Sequence, residues 1–285
     1  MSENSIINKI IIPSETAALL KEGFGKFYSN SFVENQLNLK RAKDRSQIVK
    51  KLLRGVKNPK ILEIGCGAGL QIVALNKLGF NTYGIEPDKH SYLAAKILLK
   101  ANKIPDNKIK NQCGENLQFK EKFDLIISFQ VLEHCKNPPK VFEKSYKHLN
   151  PGGKIYFVIP NYQSFWEGHY GIFWLPFLNK KLAKVYVSLI GKNPKLINNL
   201  NFIKPNLIRK ILKKTGFEII SMGEEEFKKR MKKGFFHAYG STKKILPFLK
   251  IIKRLKLNNI ISNFMVKLDL FYPIIVIARK ENDNK

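Results

Sequence analysis

Short apolar runs alternate with amphipathic stretches through the middle of the chain. Runs at 60–64, 81–85, 108–112, 123–129 and 154–159 read as strands, and the segments between them carry apolar residues at helical spacing, as 70–78 does. The run Phe123-Asp124-Leu125-Ile126-Ile127-Ser128-Phe129 is nearly continuous, as expected of a strand covered on both faces. Asn150-Pro151-Gly152-Gly153 ends a helix and turns into the fifth strand. Two further strands follow, at 217–221 behind a helix over 205–214 closed by Thr215-Gly216, and at 272–278. Pro273 places the last one at an edge or a strand end. Strand and helix in alternation predict an α/β fold with a parallel sheet and crossover helices.

Two stretches break the alternation, 161–203 and 227–270. The first holds Trp166, His169, Tyr170, Phe173 and Trp174; the second spaces Ile245, Leu249, Ile252 and Leu255 among lysines. Both predict amphipathic helical inserts with basic faces. Their apolar faces either pack on the core as a lid or lie in a membrane interface. Residues 1–57 are polar and predict an N-terminal helical cap, with Ser14-Glu15-Thr16 opening one helix, before an α/β domain over 58–285. Phe24, Phe27, Tyr28 and Phe32 recur near helical spacing and either pack on that domain or form a flap over a ligand.

The 285 residues suffice for one good core and an added lobe. No run of eighteen apolar residues appears, and the N-terminus lacks the pattern of a signal peptide. Cys66, Cys113 and Cys135 have no metal-like spacing and cannot all pair, which predicts a reduced, cytoplasmic setting. The formal charge of +29 would suit an anionic partner, nucleic acid or membrane. Only seven residues are arginine, however, so compositional drift toward lysine on a solvated surface competes with that reading.

The chemistry starts at the end of the first strand. Gly65, Gly67 and Gly69 stand at alternate positions before a helix, so the backbone can turn sharply and a ligand can lie against it and against the helix N–H groups. The second strand ends in Glu86, a carboxylate suited to the two hydroxyls of a ribose. Strand, glycine loop, helix, strand and acid in this order predict a nucleotide-like ligand. The spacing G-x-G-x-G differs from the G-x-G-x-x-G of dinucleotide sites, which disfavours an NAD(P) oxidoreductase. Glu63, two residues before the loop, would repel a pyrophosphate and suits an ammonium or sulfonium.

The motif Glu63-Ile64-Gly65-Cys66-Gly67-Ala68-Gly69 resembles the first motif of class I S-adenosylmethionine-dependent methyltransferases. The resemblance implies a Rossmann-like, doubly wound, seven-stranded sheet, mostly parallel with the last strand antiparallel. It implies S-adenosylmethionine as cofactor, held by Glu63, Gly65, Cys66, Gly67, Gly69, Glu86 and Pro87. Cys113-Gly114-Glu115-Asn116-Leu117-Gln118-Phe119 resembles the family stretch that holds the adenine, which adds Gly114, Glu115 and Asn116; Cys113 stands where the family has an acid. Gln130 and Val131, past the fourth strand, complete the set.

Val131-Leu132-Glu133-His134 is similar to small-molecule O-methyltransferases of the ubiquinone-biosynthesis type, whose E-x-x-E-H can hold a divalent metal. Gln130 replaces the first acid, and no metal is expected. His134 is the first candidate for a general base, against a residue that merely packs at a helix start. His169, in Trp166-Glu167-Gly168-His169-Tyr170-Gly171, is the second, where the family's substrate lid commonly begins. The Asn/Asp-Pro-Pro-Tyr/Phe loop of base-methylating enzymes is replaced by Ser128-Phe129-Gln130-Val131, and Asn137-Pro138-Pro139 is followed by Lys140, so an RNA or DNA methyltransferase is disfavoured. The expectation is methyl transfer, at oxygen, to a small-molecule, saccharide or lipid-linked acceptor, with peripheral contact to an anionic membrane through the inserts. A non-catalytic membrane-surface or partner-binding protein that retains the fold is the alternative.

Overall fold

The protein is represented by a computed structural model that describes residues 3–24, 34–233, 254 and 257–282. β1 (Lys60–Ile64) buries every side chain after Lys60, and β4 (Phe123–Phe129) buries every one except that of Asp124. Asp124 uses its partial exposure. Its carboxylate accepts the Lys60 N–H and the Asn150 side-chain amide, both at 2.8 Å, and so pins the starts of β1 and of β5 (Leu149–Ile159). β1 lies parallel between β4 and β2 (Asn81–Ile85), with Ile64 opposite both Ser128 and Ile85. This register brings the carboxyl ends of the three strands level. β3 (Ile109–Lys110) pairs parallel with β2.

With β8 (Phe217–Ser221) and β9 (Ile274–Lys280) the sheet has seven strands in the order β3-β2-β1-β4-β5-β9-β8, mostly parallel with one antiparallel strand, a Rossmann-like architecture. Three strands differ in extent or position from the sequence reading. β3 keeps two residues because Asn111 turns its side-chain amide onto the carbonyls of Glu86 and Pro87, at 2.8 and 3.1 Å. β5 starts earlier and takes in the Pro151-Gly152-Gly153 stretch. β9 begins after Pro273, which has no N–H to donate.

Two compact units divide the chain: Met1–Phe129 with Glu143–Ile155 and Lys280–Lys285, and Gln130–Phe142 with Tyr156–Arg279. In the first, the helices Leu39–Leu52 and Lys89–Ala101 are capped by Asn38 and Asp88, whose side chains accept the N–H groups of Arg41 and Ser91. Leu98, Leu99, Ile72 and Val73 centre its core.

In the second unit the stretch 161–203 opens on strands where the sequence predicts helix. β6 (Trp166–Glu167) and β7 (Ile172–Phe173) form an antiparallel hairpin, with Trp166 opposite Phe173. Gly168 and Gly171 lie in its turn, and Gly171 has φ of 62°. Glycines and aromatics two apart outweigh the weak helical period there. The helix Lys180–Leu189 and a short 3-10 segment, Pro194–Asn199, follow. Trp174, fully buried, joins Tyr162, Ala183, Val187, Ile197 and Leu200 in a core of their own.

The 227–270 stretch contributes the end of helix Glu224–Lys233 and the helix Asn258–Lys267. Ile245, Leu249, Ile252 and Leu255 lie outside the described residues, as do Phe27, Tyr28, Phe32 and the side chain of Phe24. Among the described residues no helix is long and apolar enough to cross a membrane.

Candidate active site

In the first unit a cradle forms where β1 and β2 end. Gly65, Gly67 and Gly69 all take positive φ, at 70°, 53° and 77°. The N–H groups of Gly65 and Cys66 bind the Ile85 carbonyl at 2.9 and 3.0 Å, which folds the loop over the end of β2. A Cβ at Gly67 would meet Gln36 Oε1 at 2.6 Å, the movable end of a long side chain, so the positive φ rather than space is what favours glycine. Glu86 accepts the Gly67 N–H at 2.8 Å with one oxygen and the Asp88 N–H at 2.9 Å with the other.

Burial dominates the electrostatics of this cradle. It pushes the Glu86 carboxyl up to about 7, against the pull of the Asp88 and Gly67 amides. It pushes Glu63 up to about 8, against nearby Arg45 and helped by Glu86. One Glu63 oxygen is buried without a hydrogen-bond partner. Burial also raises the Cys66 thiol, with Glu86 and Glu63 adding to it, so this cysteine is an inert wall. Gly114, Glu115 and Asn116 form a single 3-10 turn after β3, with the Asn116 N–H on the Cys113 carbonyl at 3.1 Å.

The second unit begins directly past β4. Gln130 takes φ of 58°, a strained value for a residue with a Cβ, and its N–H is held by the Val158 carbonyl at 2.7 Å. Val131 starts the 3-10 turn Leu132–His134. Its Glu133 is fully buried, with neither carboxylate oxygen hydrogen-bonded, and burial pushes its carboxyl up to about 7. Asn201 fixes the turn by donating its N–H to the Glu133 carbonyl at 2.7 Å and its side-chain amide to the Cys135 carbonyl.

His169 meets this turn from the hairpin. Its Nδ1 lies 2.7 Å from Glu167 Oε1 and its Nε2 lies 3.2 Å from His134 Nε2 and 3.8 Å from Glu133 Oε1. A carboxylate can only accept, so Nδ1 of His169 carries the proton. Glu167 is itself locked, taking the Tyr170 N–H at 2.7 Å and the Tyr162 hydroxyl at 3.4 Å. Gly168 permits this packing, because a Cβ there would meet the Tyr272 hydroxyl at 2.7 Å.

The two imidazoles have opposite environments. Burial, joined by His169, drives His134 down to about 4. His169 loses to burial but gains more from Glu167 and Glu133, and its affinity for a proton is raised. One ligand atom each from Glu133, His134 and His169 lies within 4.8 Å of the others, so these are the groups able to hold a divalent cation among the described residues.

A family model described as a methyltransferase domain matches residues 37–222. The chain belongs to the methyltransferase-domain family. As a class I methyltransferase, it takes S-adenosylmethionine as cofactor. The chain is 34% identical over 107 residues to a ubiquinone biosynthesis O-methyltransferase of Pelagibacter ubique, covering 37% of this chain and 44% of that protein. A protein of the same name from Rickettsia canadensis is 26% identical over 167 residues, covering 56% and 62%. The methyltransferase thus spans about half the length of the curated relatives it matches. Among solved structures, a Haemonchus contortus phosphoethanolamine N-methyltransferase 2, in complex with phosphomonomethylethanolamine and S-adenosylhomocysteine, covers 99% of this chain and 61% of its own at 18% identity, with a TM-score of 0.51.

Several residues of the methyltransferase escape a sequence reading. Gln36 faces Gly67 from a segment that carries no motif. Arg45 lies over the Phe129 ring at 3.8 Å and beside Glu63, yet its surroundings in sequence, Lys40 to Asp44, look like a solvated face. Tyr162 and Asn201 become visible only once the hairpin and the turn are folded together. Glu133 carried a signal, its place directly before His134.

Proposed function

We propose that the chain transfers the methyl group of S-adenosylmethionine to a hydroxyl oxygen of a small-molecule or lipid-linked acceptor. His134 takes the acceptor's proton and His169 receives the proton that His134 gives up. The observation that carries this reading is the row Glu167–His169–His134, buried at Glu167 and open to solvent at His134, with hydrogen-bond distances of 2.7 and 3.2 Å. With Nδ1 of His169 protonated toward Glu167, its Nε2 accepts from His134 Nε2–H. The Nδ1 of His134 then offers a lone pair, on the more exposed of the two rings. As the acceptor oxygen attacks the methyl carbon, the C–O bond forms and the C–S bond breaks with its electron pair on sulfur. The hydroxyl proton passes to His134 Nδ1 and the Nε2 proton moves to His169. The resulting imidazolium lies between the carboxylates of Glu167 and Glu133. A ring that holds protons poorly thus hands them to one that holds them well.

Glu63, Gly65, Cys66, Gly67, Gly69, Glu86 and Pro87, with Gly114, Glu115 and Asn116, are assigned to the cofactor, and Gln130 and Val131 to the approach to its methyl. Relatives named as ubiquinone biosynthesis O-methyltransferases support oxygen as the acceptor atom. Quinone-like phenols and saccharide precursors are both acceptors of this class, and peripheral association with an anionic membrane belongs to the same reading. The test is transfer of labelled methyl from S-adenosylmethionine to catechol-type and lipid-linked saccharide acceptors. Binding of S-adenosylhomocysteine without an oxygen-linked product from either class would overturn it, and absence of cofactor binding would favour a non-catalytic module.

The row also fixes a pH dependence. Turnover requires His169 to be neutral before each cycle, so it rises as pH rises through the His169 pKa. Glu167→Gln keeps an acceptor for Nδ1–H but removes the negative charge that raises the His169 pKa, and the ascending limb is expected to move to lower pH. An unmoved limb would argue against the Glu167–His169 pair. Dialysis against EDTA is expected to leave turnover unchanged; loss restored by a divalent cation would replace the proton row with a metal held by Glu133, His134 and His169.

A further inference from the structure

The helix Lys180–Leu189 has two apolar faces. Ala183 and Val187 face inward and are buried in the core around Trp174. Leu182, Val185 and Leu189 recur at i, i+3 and i+7 and face outward, with Leu189 80% exposed. An amphipathic helix packed on its core needs one such face, and among the described residues the second stays exposed. The hairpin extends it. The Tyr186 hydroxyl donates to the Phe173 carbonyl at 2.8 Å, which ties the helix to β7, and Phe173, Leu175 and Phe177 are exposed there, Phe177 by 65%. Aromatic and aliphatic side chains of this size, gathered on neighbouring elements, form the kind of patch that marks an interaction surface.

The surrounding charge is of one sign. Between residues 168 and 203 the chain carries five lysines, Lys180, Lys181, Lys184, Lys192 and Lys195, and no Asp or Glu. Lys181, Lys192 and Lys195 are exposed. Exposed apolar side chains on a stretch whose only charged residues are lysines suit the boundary between acyl chains and anionic headgroups. A protein partner of ordinary composition would leave those lysines unmatched.

We propose that the outward face of helix Lys180–Leu189 and the segment from Phe173 to Phe177 dock on an anionic lipid bilayer, with Leu182, Val185, Leu189 and Phe177 entering the interface and the lysines binding headgroup phosphates. Its purpose, access to a lipid-linked acceptor, rests on the methyl-transfer reading; the docking itself does not. The hairpin that docks also carries Glu167 and His169, so a bilayer-seated acceptor meets the same element as the proposed proton row.

The experiment is co-flotation of the full-length protein with vesicles of phosphatidylcholine alone and of phosphatidylcholine with phosphatidylglycerol, at low and high salt. Binding to the anionic vesicles, weakened by salt, is expected. Val185→Glu/Leu189→Glu places charges on an already exposed face, and is expected to reduce anionic-vesicle binding at least tenfold while leaving S-adenosylhomocysteine affinity and melting temperature unchanged. Lys181→Glu/Lys192→Glu is expected to remove the salt-sensitive part. Vesicle binding that survives both variants would overturn the assignment. So would absence of vesicle binding together with a dimer, by light scattering, that Val185→Glu/Leu189→Glu dissolves, since the face would then belong to a second copy. S-adenosylhomocysteine binding separates either failure from a failure of the methyltransferase reading.

Discussion

Replacing His169 with alanine is expected to lower turnover by about 10²–10⁴-fold, the range for loss of a placed acid–base group, while S-adenosylhomocysteine affinity holds. His134→Ala is expected to fall in the same range, and the double variant to cost little more than either alone, because two residues that move one proton act as a unit. Additive losses would mean that they serve separate steps. A purely structural role must also be addressed, since Glu167 is buried and His169 is one of its three donors. Removing His169 leaves the Tyr170 N–H and the Tyr162 hydroxyl on that carboxylate, a cost of about 1–3 kcal/mol for the lost partner. Melting temperature reads that cost. His169→Asn combined with Glu167→Gln removes the charge problem and is expected to recover melting temperature without recovering turnover. Recovery of both would reduce His169 to a packing residue.

The cradle was legible in the sequence because its parts are contiguous or set by a short, obligatory spacing. Gly65, Gly67 and Gly69 mark backbone that only glycine takes comfortably, and one strand and one helix later Glu86 returns to the same loop, its oxygens on Gly67 and Asp88. Parallel pairing followed from the alternation of elements in the same way, whereas the strand order emerged only from the fold. The proton row was legible only in pieces. His134 and His169 each stood out, but nothing in either motif says that a residue 35 positions away will come within 3.2 Å. That distance depends on the hairpin, and the sequence pattern there predicts helix. A turn of two glycines within a run of aromatics resists assignment by period, since burial of Trp174 decides it. Arg45 shows the reverse error. Its neighbours Lys43 and Asp44 suggest a solvated face, whereas its own side chain crosses Phe129 and approaches the buried Glu63.

Glu63 carries the second large effect, and it acts on stability and on ligand affinity in opposite senses. Its folded carboxyl sits at about 8 against an ordinary 4.5, mainly through burial. Below pH 4.5 both folded and unfolded chains bind the proton, and the residue is neutral to stability. As pH rises from there the unfolded chain releases its proton while the folded one keeps it, so stability falls until pH passes 8. At pH 7.5 the cost is on the order of 4 kcal/mol, at about 1.4 kcal/mol per pH unit. Glu63→Gln keeps the shape without the titration, and is expected to raise the melting temperature of the free protein at pH 7.5 by several degrees and to flatten its decline between pH 5 and 8. The same variant is expected to weaken S-adenosylmethionine binding, and more so than binding of S-adenosylhomocysteine, which lacks the sulfonium charge. In the unaltered protein a cationic ligand must drive the proton off Glu63, so S-adenosylmethionine affinity is expected to rise with pH between about 6 and 8. Calorimetry in buffers of different ionisation enthalpy would register the released proton. A Glu63→Gln variant that melts no higher, or whose S-adenosylmethionine affinity still climbs with pH, would place the charge that selects this ligand elsewhere, with Glu86 next to be tested because burial holds it near 7 on the same loop. A destabilising carboxyl at the root of the glycine loop is what a cation site requires, because Arg45 compensates its desolvated charge only in part and a cationic ligand would supply the rest.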